Sequence, residues 1–253
     1  MAGSISLSAM AAMRAGAGLV TALVPDRCLE TVAGFDPCIM TIPAPDTVLG
    51  HFDTTAMSIF ESHALKADAI AIGPGMGTKS GSIALVSLAC CMKTVPRVFD
   101  ADALNILAVS SDEYRVEGPA VLTPHPGEMQ RLTGVHASDR DGQINAAIRL
   151  AAELDVVVLL KGTKTIVTDG KECWTNTTGN PGMAKGGSGD CLTGIIASLM
   201  GQGLSAFMSA KLGAFVHGRA GDLAAEAIGE AGMTPTDVIA ALPQAIAEVV
   251  RRS

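Results

Sequence analysis

The 253-residue sequence has little charge for its size, and its basic residues never gather. Asp, Glu, Lys and Arg make up 17% of the chain, the formal charge is −7, and the 18 basic residues cluster nowhere beyond Arg251-Arg252. That distribution argues against a nucleic-acid footprint, so an anionic ligand has to be captured locally. The six cysteines, at 28, 38, 90, 91, 173 and 191, include no C-x-x-C spacing and no histidine pairing of the kind a zinc site uses. Reduced thiols of a cytoplasmic protein are the expectation. No apolar run is long enough, or free enough of glycine, to cross a bilayer. The N-terminus has Arg14 within an Ala/Met run and lacks a basic region followed by an apolar core and a cleavage site, so no signal peptide is read there. Low-complexity linkers and internal repeats are also absent, and a single domain over 1–253 is expected.

What is present is apolar: 48% of the residues, enough for a large buried core. Residues 19–24, 69–72, 98–99, 120–122 and 156–160 are short apolar runs followed by turn residues, the pattern of strands buried on both faces of a parallel sheet. Between and after them, 4–15, 80–92, 101–109, 141–154, 190–201, 205–228 and 235–250 have helical periodicity. Alternation of the two predicts an α/β fold that ends in helices.

The most informative stretch runs from Asn180 to Asp190 and leads straight into an apolar helix. Gly186, Gly187 and Gly189 are read as positions of positive φ and close ligand approach, and the helix start adds unpaired N–H groups and a positive dipole end. Asp190 would repel the phosphate such a cradle attracts. Its presence makes sense for proton or metal handling beside a transferring phosphoryl group, although a carboxylate there also suits a plain cap.

Nearly every predicted strand ends in a polar or glycine-rich loop, where ligands of open α/β sheets bind. Gly73-Pro74-Gly75-Met76-Gly77 follows the second run and Asp100-Ala101-Asp102-Ala103-Leu104-Asn105 the third. Asp102 is expected to cap the next helix, with Asp100 or Asn105 facing the site. Thr123-Pro124-His125-Pro126-Gly127-Glu128 holds a histidine between two prolines. Glu128 there suits either the first turn of a helix or the organisation of metal-bound water. Lys161-Gly162-Thr163-Lys164-Thr165 supplies a mobile positive charge, close backbone approach and hydroxyls for a nucleotide phosphate, or else a hairpin turn with solvated lysines.

Together with Arg14-Ala15-Gly16-Ala17-Gly18-Leu19-Val20, these motifs in this order resemble the ADP/ATP-dependent NAD(P)H-hydrate dehydratase family, part of the ribokinase-like superfamily. The His-Pro-Gly-Glu element discriminates most, because small-molecule kinases of the superfamily resemble the chain mainly in the Gly-Ser-Gly-Asp loop. A vitamin-precursor kinase and a non-catalytic nucleotide-binding remnant are the alternatives. The resemblance implies a three-layer α/β/α sandwich with a mostly parallel central sheet. The family's usual first strand and Gly-Gly-Ser-type loop would precede the segment beginning Ala2-Gly3-Ser4, so the resemblance leads us to expect a sheet without that first strand.

It also implies metabolite repair of hydrated NADH and NADPH, in which a ring hydroxyl is phosphorylated by ADP or ATP and phosphate then leaves. Carried over by position, Asp190 is the base, and the amides of Gly187, Ser188 and Gly189 hold the transferring charge. Lys161, Gly162, Thr163, Lys164, Thr165 and Gly189 contact the nucleotide. Ser4, Gly75, Gly77 and His125 line the hydrated-dinucleotide site together with Asp190, and Ser4 stands where the family more often has Ala. Glu128 helps place Mg2+, through water. The implied partners are small molecules, with neither nucleic acid nor membrane, and the implied assembly is a homo-oligomer up to a tetramer.

Overall fold

The computed structural model describes residues 1–109 and 115–251, so Arg252 of the basic pair lies outside them. The chain opens with helix α1 (Ala2–Arg14), then β1 (Thr21–Pro25), α2 (Leu29–Ala33), β2 (Met40–Ala44) and α3 (Ala56–Ala64). Strands and helices then alternate as β3 (Ile70–Ile72), α4 (Ser80–Cys90), β4 (Arg97–Phe99), α5 (Asp102–Val109), β5 (Ala120–Leu122), α6 (Pro126–Thr133), α7 (Arg140–Leu154) and β6 (Val157–Leu160). A hairpin, β7 (Ile166–Thr168) and β8 (Cys173–Thr175), precedes the closing helices α8 (Ser188–Gly201), α9 (Ala206–Ile228) and α10 (Pro235–Val250).

The main sheet is six-stranded in the order β3-β4-β5-β6-β7-β8. Its first four strands run parallel and the last two pair antiparallel. Every residue of β4, β5 and β6 is buried, as expected of strands covered on both faces. Because side chains alternate across a strand, each strand feeds two separate cores. Phe99, Leu122, Val158 and Leu160 pack toward α3, α4, α5, α6 and α7, while Val98, Val121, Val157 and Leu159 pack toward α8 and α9. The result is the expected three-layer α/β/α arrangement. A fully buried Leu or Phe stabilises by roughly 2–3 kcal/mol through apolar burial, so these short strands are held mainly by what they cover.

Beyond α8 and α9, helices α1 and α10 build a further apolar cluster around Ala11, Ile195, Val216 and Leu242. Contact between α1 and α8 is close because Gly194 has no side chain. A Cβ at 194 would lie 1.9 Å from the carbonyl oxygen of Ser8.

The strand expected over 19–24 forms as β1 but stands outside the main sheet. It pairs in parallel with β2, which the apolar-run pattern did not pick out. In β1 only Ala22 and Val24 are buried, so the segment is a one-faced strand that packs with Ala9 of α1, Val32 of α2 and Ile39 just before β2. Among the described residues no helix is long and apolar enough to cross a membrane.

Candidate active site

Parallel strands bring their carboxyl ends to one edge, so the loops after β3, β4, β5 and β6 meet there. Their centre is Asp100, which follows β4 and is 1% exposed. A carboxylate so far from water needs charged or hydrogen-bonding partners. Asp100 Oδ1 accepts from Lys161 Nζ at 2.7 Å and Oδ2 from Thr193 Oγ1 at 2.6 Å. Lys161 Nζ also lies 3.8 Å from Glu128 Oε2. The mobile charge expected at Lys161 is therefore immobilised, because two buried carboxylates hold the ammonium inward.

His125 and Glu128 are joined by helix capping. His125 is the N-cap of α6, its Nδ1 accepting from the amides of Gly127 at 3.0 Å and Glu128 at 3.3 Å. In return Glu128 Oε2 accepts from the His125 amide at 2.8 Å, which completes a capping box with Pro126 in the first turn. With Nδ1 an acceptor, the ring proton sits on Nε2, 3.3 Å from Glu128 Oε1. Burial pulls the His125 pKa below its ordinary value against the opposing pull of Glu128, so the ring is neutral near neutral pH. Half of the side chain remains exposed at the cleft.

Helix α8 brings Asp190 to the same edge. Gly187 is its N-cap with φ of 95°, and no side chain caps the helix. Of the three glycines read as positive-φ positions, only Gly187 is one. Gly189 instead lies close against the ion pair: a Cβ there would lie 3.2 Å from Lys161 Nζ and 3.8 Å from Asp100 Oδ2. The Ser188 amide already donates to the Lys185 carbonyl at 3.2 Å. Burial raises the Asp190 pKa, with the Asp100 charge acting the same way. The Ser4 hydroxyl, Lys161 and the chain's amino group oppose them. A carboxylate shifted upward is a better proton acceptor once ionised.

Ser4, on the first turn of α1 and buried, thus stands close enough to Asp190 for its hydroxyl to favour the ionised carboxylate. Gly75 lies against Met1 and Ser4, and its carbonyl accepts from the Met1 amino group. Asp102, expected to cap, is the first residue of α5, and its Oδ2 accepts from the Gly77 amide at 2.8 Å, so it anchors the glycine loop to α5. Asn105 accepts from Arg131 Nε at 2.8 Å, and Arg131 lies close enough to His125 to act on its ring charge. Ser4, Gly75, Gly77, His125, Glu128, Lys161, Gly189 and Asp190 all gather at one edge. In the 161–165 loop, Gly162, Thr163 and Lys164 are exposed and Thr165 is half-buried, its hydroxyl donating to the Gly162 carbonyl at 3.2 Å.

Several residues that shape the site belong to none of the sequence motifs. Arg140, at the start of α7, donates to the carbonyls of Lys161 and Lys164, both at 3.1 Å, and so fixes the curve of the 161–165 loop. His217 on α9 is buried with Nε2 3.4 Å from Ser188 Oγ, and burial pulls its pKa down to about 4. Asp222, one and a half turns on, accepts from the Gly179 amide and the Asn180 side chain, both at 3.0 Å. The available clue was spacing: His217, Gly218, Gly221 and Asp222 share one face of a helix, and small residues there let a loop lie against it.

A sequence model described as NAD(P)H-hydrate dehydratase matches residues 1–244. The chain belongs to the NAD(P)H-hydrate dehydratase family. It is 44% identical over 247 residues to the bifunctional NAD(P)H-hydrate repair enzyme Nnr of Moorella thermoacetica, covering 96% of this chain and 46% of that protein. Identity to the Escherichia coli enzyme of the same name is 36% over 248 residues, covering 97% of this chain and 45% of that one. The chain thus spans about half the length of these relatives. Among solved structures, the ADP/ATP-dependent NAD(P)H-hydrate dehydratase of Bacillus subtilis, co-crystallised with ATP and Mg2+, superposes with a TM-score of 0.81 at 27% identity, over 98% of this chain and 87% of that one. Hydroxyethylthiazole kinase of Pyrococcus horikoshii, at 18% identity and a TM-score of 0.66 over 94% of this chain and 92% of that one, shares the fold.

Proposed function

We propose that this chain restores hydrated NADH and NADPH to the reduced dinucleotides, with ADP or ATP as the phosphoryl donor. The observation that carries the reading is Asp190, a partly buried carboxylate on the first turn of a helix with no side-chain cap. It gathers at the same edge of the sheet as a histidine displayed between two prolines. In this reading Asp190 accepts the proton of the ring hydroxyl as the oxygen attacks the terminal phosphorus, and the nucleotide departs one phosphate shorter. The new phosphate ester then breaks at its carbon–oxygen bond. Phosphate leaves with the electron pair, and loss of a proton from the adjacent ring carbon restores the double bond. Hydroxide is a poor leaving group and phosphate a good one, which is why a kinase-like site serves a dehydration.

The exposed stretch 162–164, curved by Arg140, suits the nucleotide, and the amides of Gly187 and Gly189 suit the charge on the transferring group. Half-exposed His125, with its Nε2 proton, suits a polar group of the dinucleotide. Magnesium bound with the nucleotide phosphates supplies charge neutralisation for the transfer. The donor set fits an ion held chiefly by phosphates and water, since no group of three or more His, Cys, Asp or Glu side chains forms a metal cage among the described residues. Glu128, both of whose oxygens already serve His125 and Lys161, would reach the ion through water.

The test is to incubate purified protein with hydrated NADH, magnesium and either nucleotide, and to follow the return of reduced-nicotinamide absorbance. Recovery with one or both nucleotides is expected. Absence of recovery with both overturns the reading.

A further inference from the structure

Asp100 has no role in the chemistry above, yet it is the most completely enclosed carboxylate at the site. A charge in that position costs several kcal/mol to desolvate unless its partners are well placed, and a buried pair on its own is weak evidence of a stabilising role. Both of its hydrogen bonds have the short lengths of charge-assisted contacts. One goes to the ammonium of Lys161, which opens the 161–165 loop; the other goes to Thr193, one helical turn beyond Gly189 and Asp190. Thr193 Oγ1 also lies 3.1 Å from the Gly189 carbonyl oxygen. Its single proton is directed to the closer and charged acceptor. The Asp100–Lys161 pair lies against Gly189 in the first turn of α8.

We propose that Asp100 is a positioning residue that, through Thr193 and Lys161, fixes the first turn of α8 and aligns Asp190 with the 161–165 loop. The proposal rests on the reading of Asp190 as the base and of that loop as the nucleotide contact. The strand that Asp100 follows is buried at every position, so it is a suitable reference point for two groups that arrive on separate elements. Lys161 extends the tie to Glu128, and through the capping box to His125. One carboxylate thereby links the elements that contribute to the site from β4, α6, the end of β6 and α8.

Thr193→Val removes the hydroxyl at nearly constant volume, and Thr193→Ser keeps it, so neither has to unfold the chain. Removing Asp100 itself strands a buried ammonium and serves less well. Three measurements are made on the full chain: turnover of hydrated NADH, binding of ATP with magnesium, and hydrogen–deuterium exchange of amides 188–192 without nucleotide. Thr193→Val is expected to lower kcat about tenfold through misalignment of the base, with ATP affinity within about twofold of the parent. Exchange in the first turn of α8 is expected to quicken about fivefold or more, while Thr193→Ser recovers most of the turnover and the slow exchange. Parental kcat in Thr193→Val overturns the proposal, and so does unchanged exchange, whatever the activity. If the parent protein itself fails to restore hydrated NADH, the dehydration reading fails. The exchange comparison then decides the positioning role alone.

Discussion

Asp190 has to be ionised to accept a proton, and its burial beside Asp100 works against that. Its pKa is raised, so the ionised fraction, and with it kcat/KM, falls as pH drops through that raised value. The acid limb of the pH–rate profile is therefore expected above 3.8, the unperturbed value for this side chain. Ser4→Ala removes a hydroxyl that favours the ionised form and should move that limb to higher pH; a limb that moves down or stays put contradicts that influence. Asp190→Asn should bind ATP with nearly parental affinity while losing roughly 10³-fold in turnover, as expected for loss of a general base. Equal turnover in that variant would remove Asp190 from the chemistry. Asp190 was legible in the sequence because a glycine-rich turn before an apolar helix leaves few reasons for a carboxylate. Lys161 was legible as a residue but not as a geometry: nothing in Lys-Gly-Thr-Lys-Thr tells that a buried Asp and Glu from other loops face its ammonium. His217 and Arg140 act through contacts 29 and 21 residues away along the chain, and a lone side chain on a helix carries no mark of such a partner.

At the scale of elements, the contact of α1 with α8 determines whether Ser4 reaches Asp190 at all. Gly194 makes it possible, and an added methyl group would meet backbone atoms rather than a side chain able to swing away. Gly194→Ala is expected to destabilise the fold by roughly 3 kcal/mol, at the upper end for overpacking, seen as a lower urea midpoint. Gly3→Ala serves as the control, because a Cβ at Gly3 meets nothing within 4 Å and the residue lies in α1. That change should be neutral or slightly stabilising, about 0.5 kcal/mol, from the better helix propensity of Ala. Comparable midpoints for the two variants would mean that α1 yields more easily than its packing indicates. Elements with strong periodicity or uniform apolarity, such as α9 and β6, were readable from sequence because their burial is complete or one-sided over many residues. By contrast β2 contains Pro43, and most of its positions are half-buried or exposed, so neither composition nor alternation singled it out. The three-residue strands β7 and β8 are too short to express a period, and it is pairing with β6 that makes them strands.

For the molecule as a whole, acid stability depends on groups that the fold keeps neutral. His217 is buried with its pKa at about 4, against an ordinary value of 6.5. The unfolded chain therefore binds a proton that the folded chain refuses between those two values, and stability falls as pH is lowered through that window. From pH 7 to pH 5 this one ring accounts for a loss of roughly 2 kcal/mol. His125, also lowered, adds to the loss, while Asp190, raised, opposes it because the folded state holds its proton more readily than the unfolded state. His217→Gln leaves a buried side chain of similar size that does not titrate. Urea unfolding of parent and variant at both pH values isolates the term, since contributions common to the two proteins cancel in the difference. The parent should lose roughly 2 kcal/mol more than the variant on acidification. Equal losses would mean that the folded protein admits the proton. His217 would then carry a positive charge beside Ser188, at the helix start where the proposed reaction needs donors for a transferring phosphoryl group.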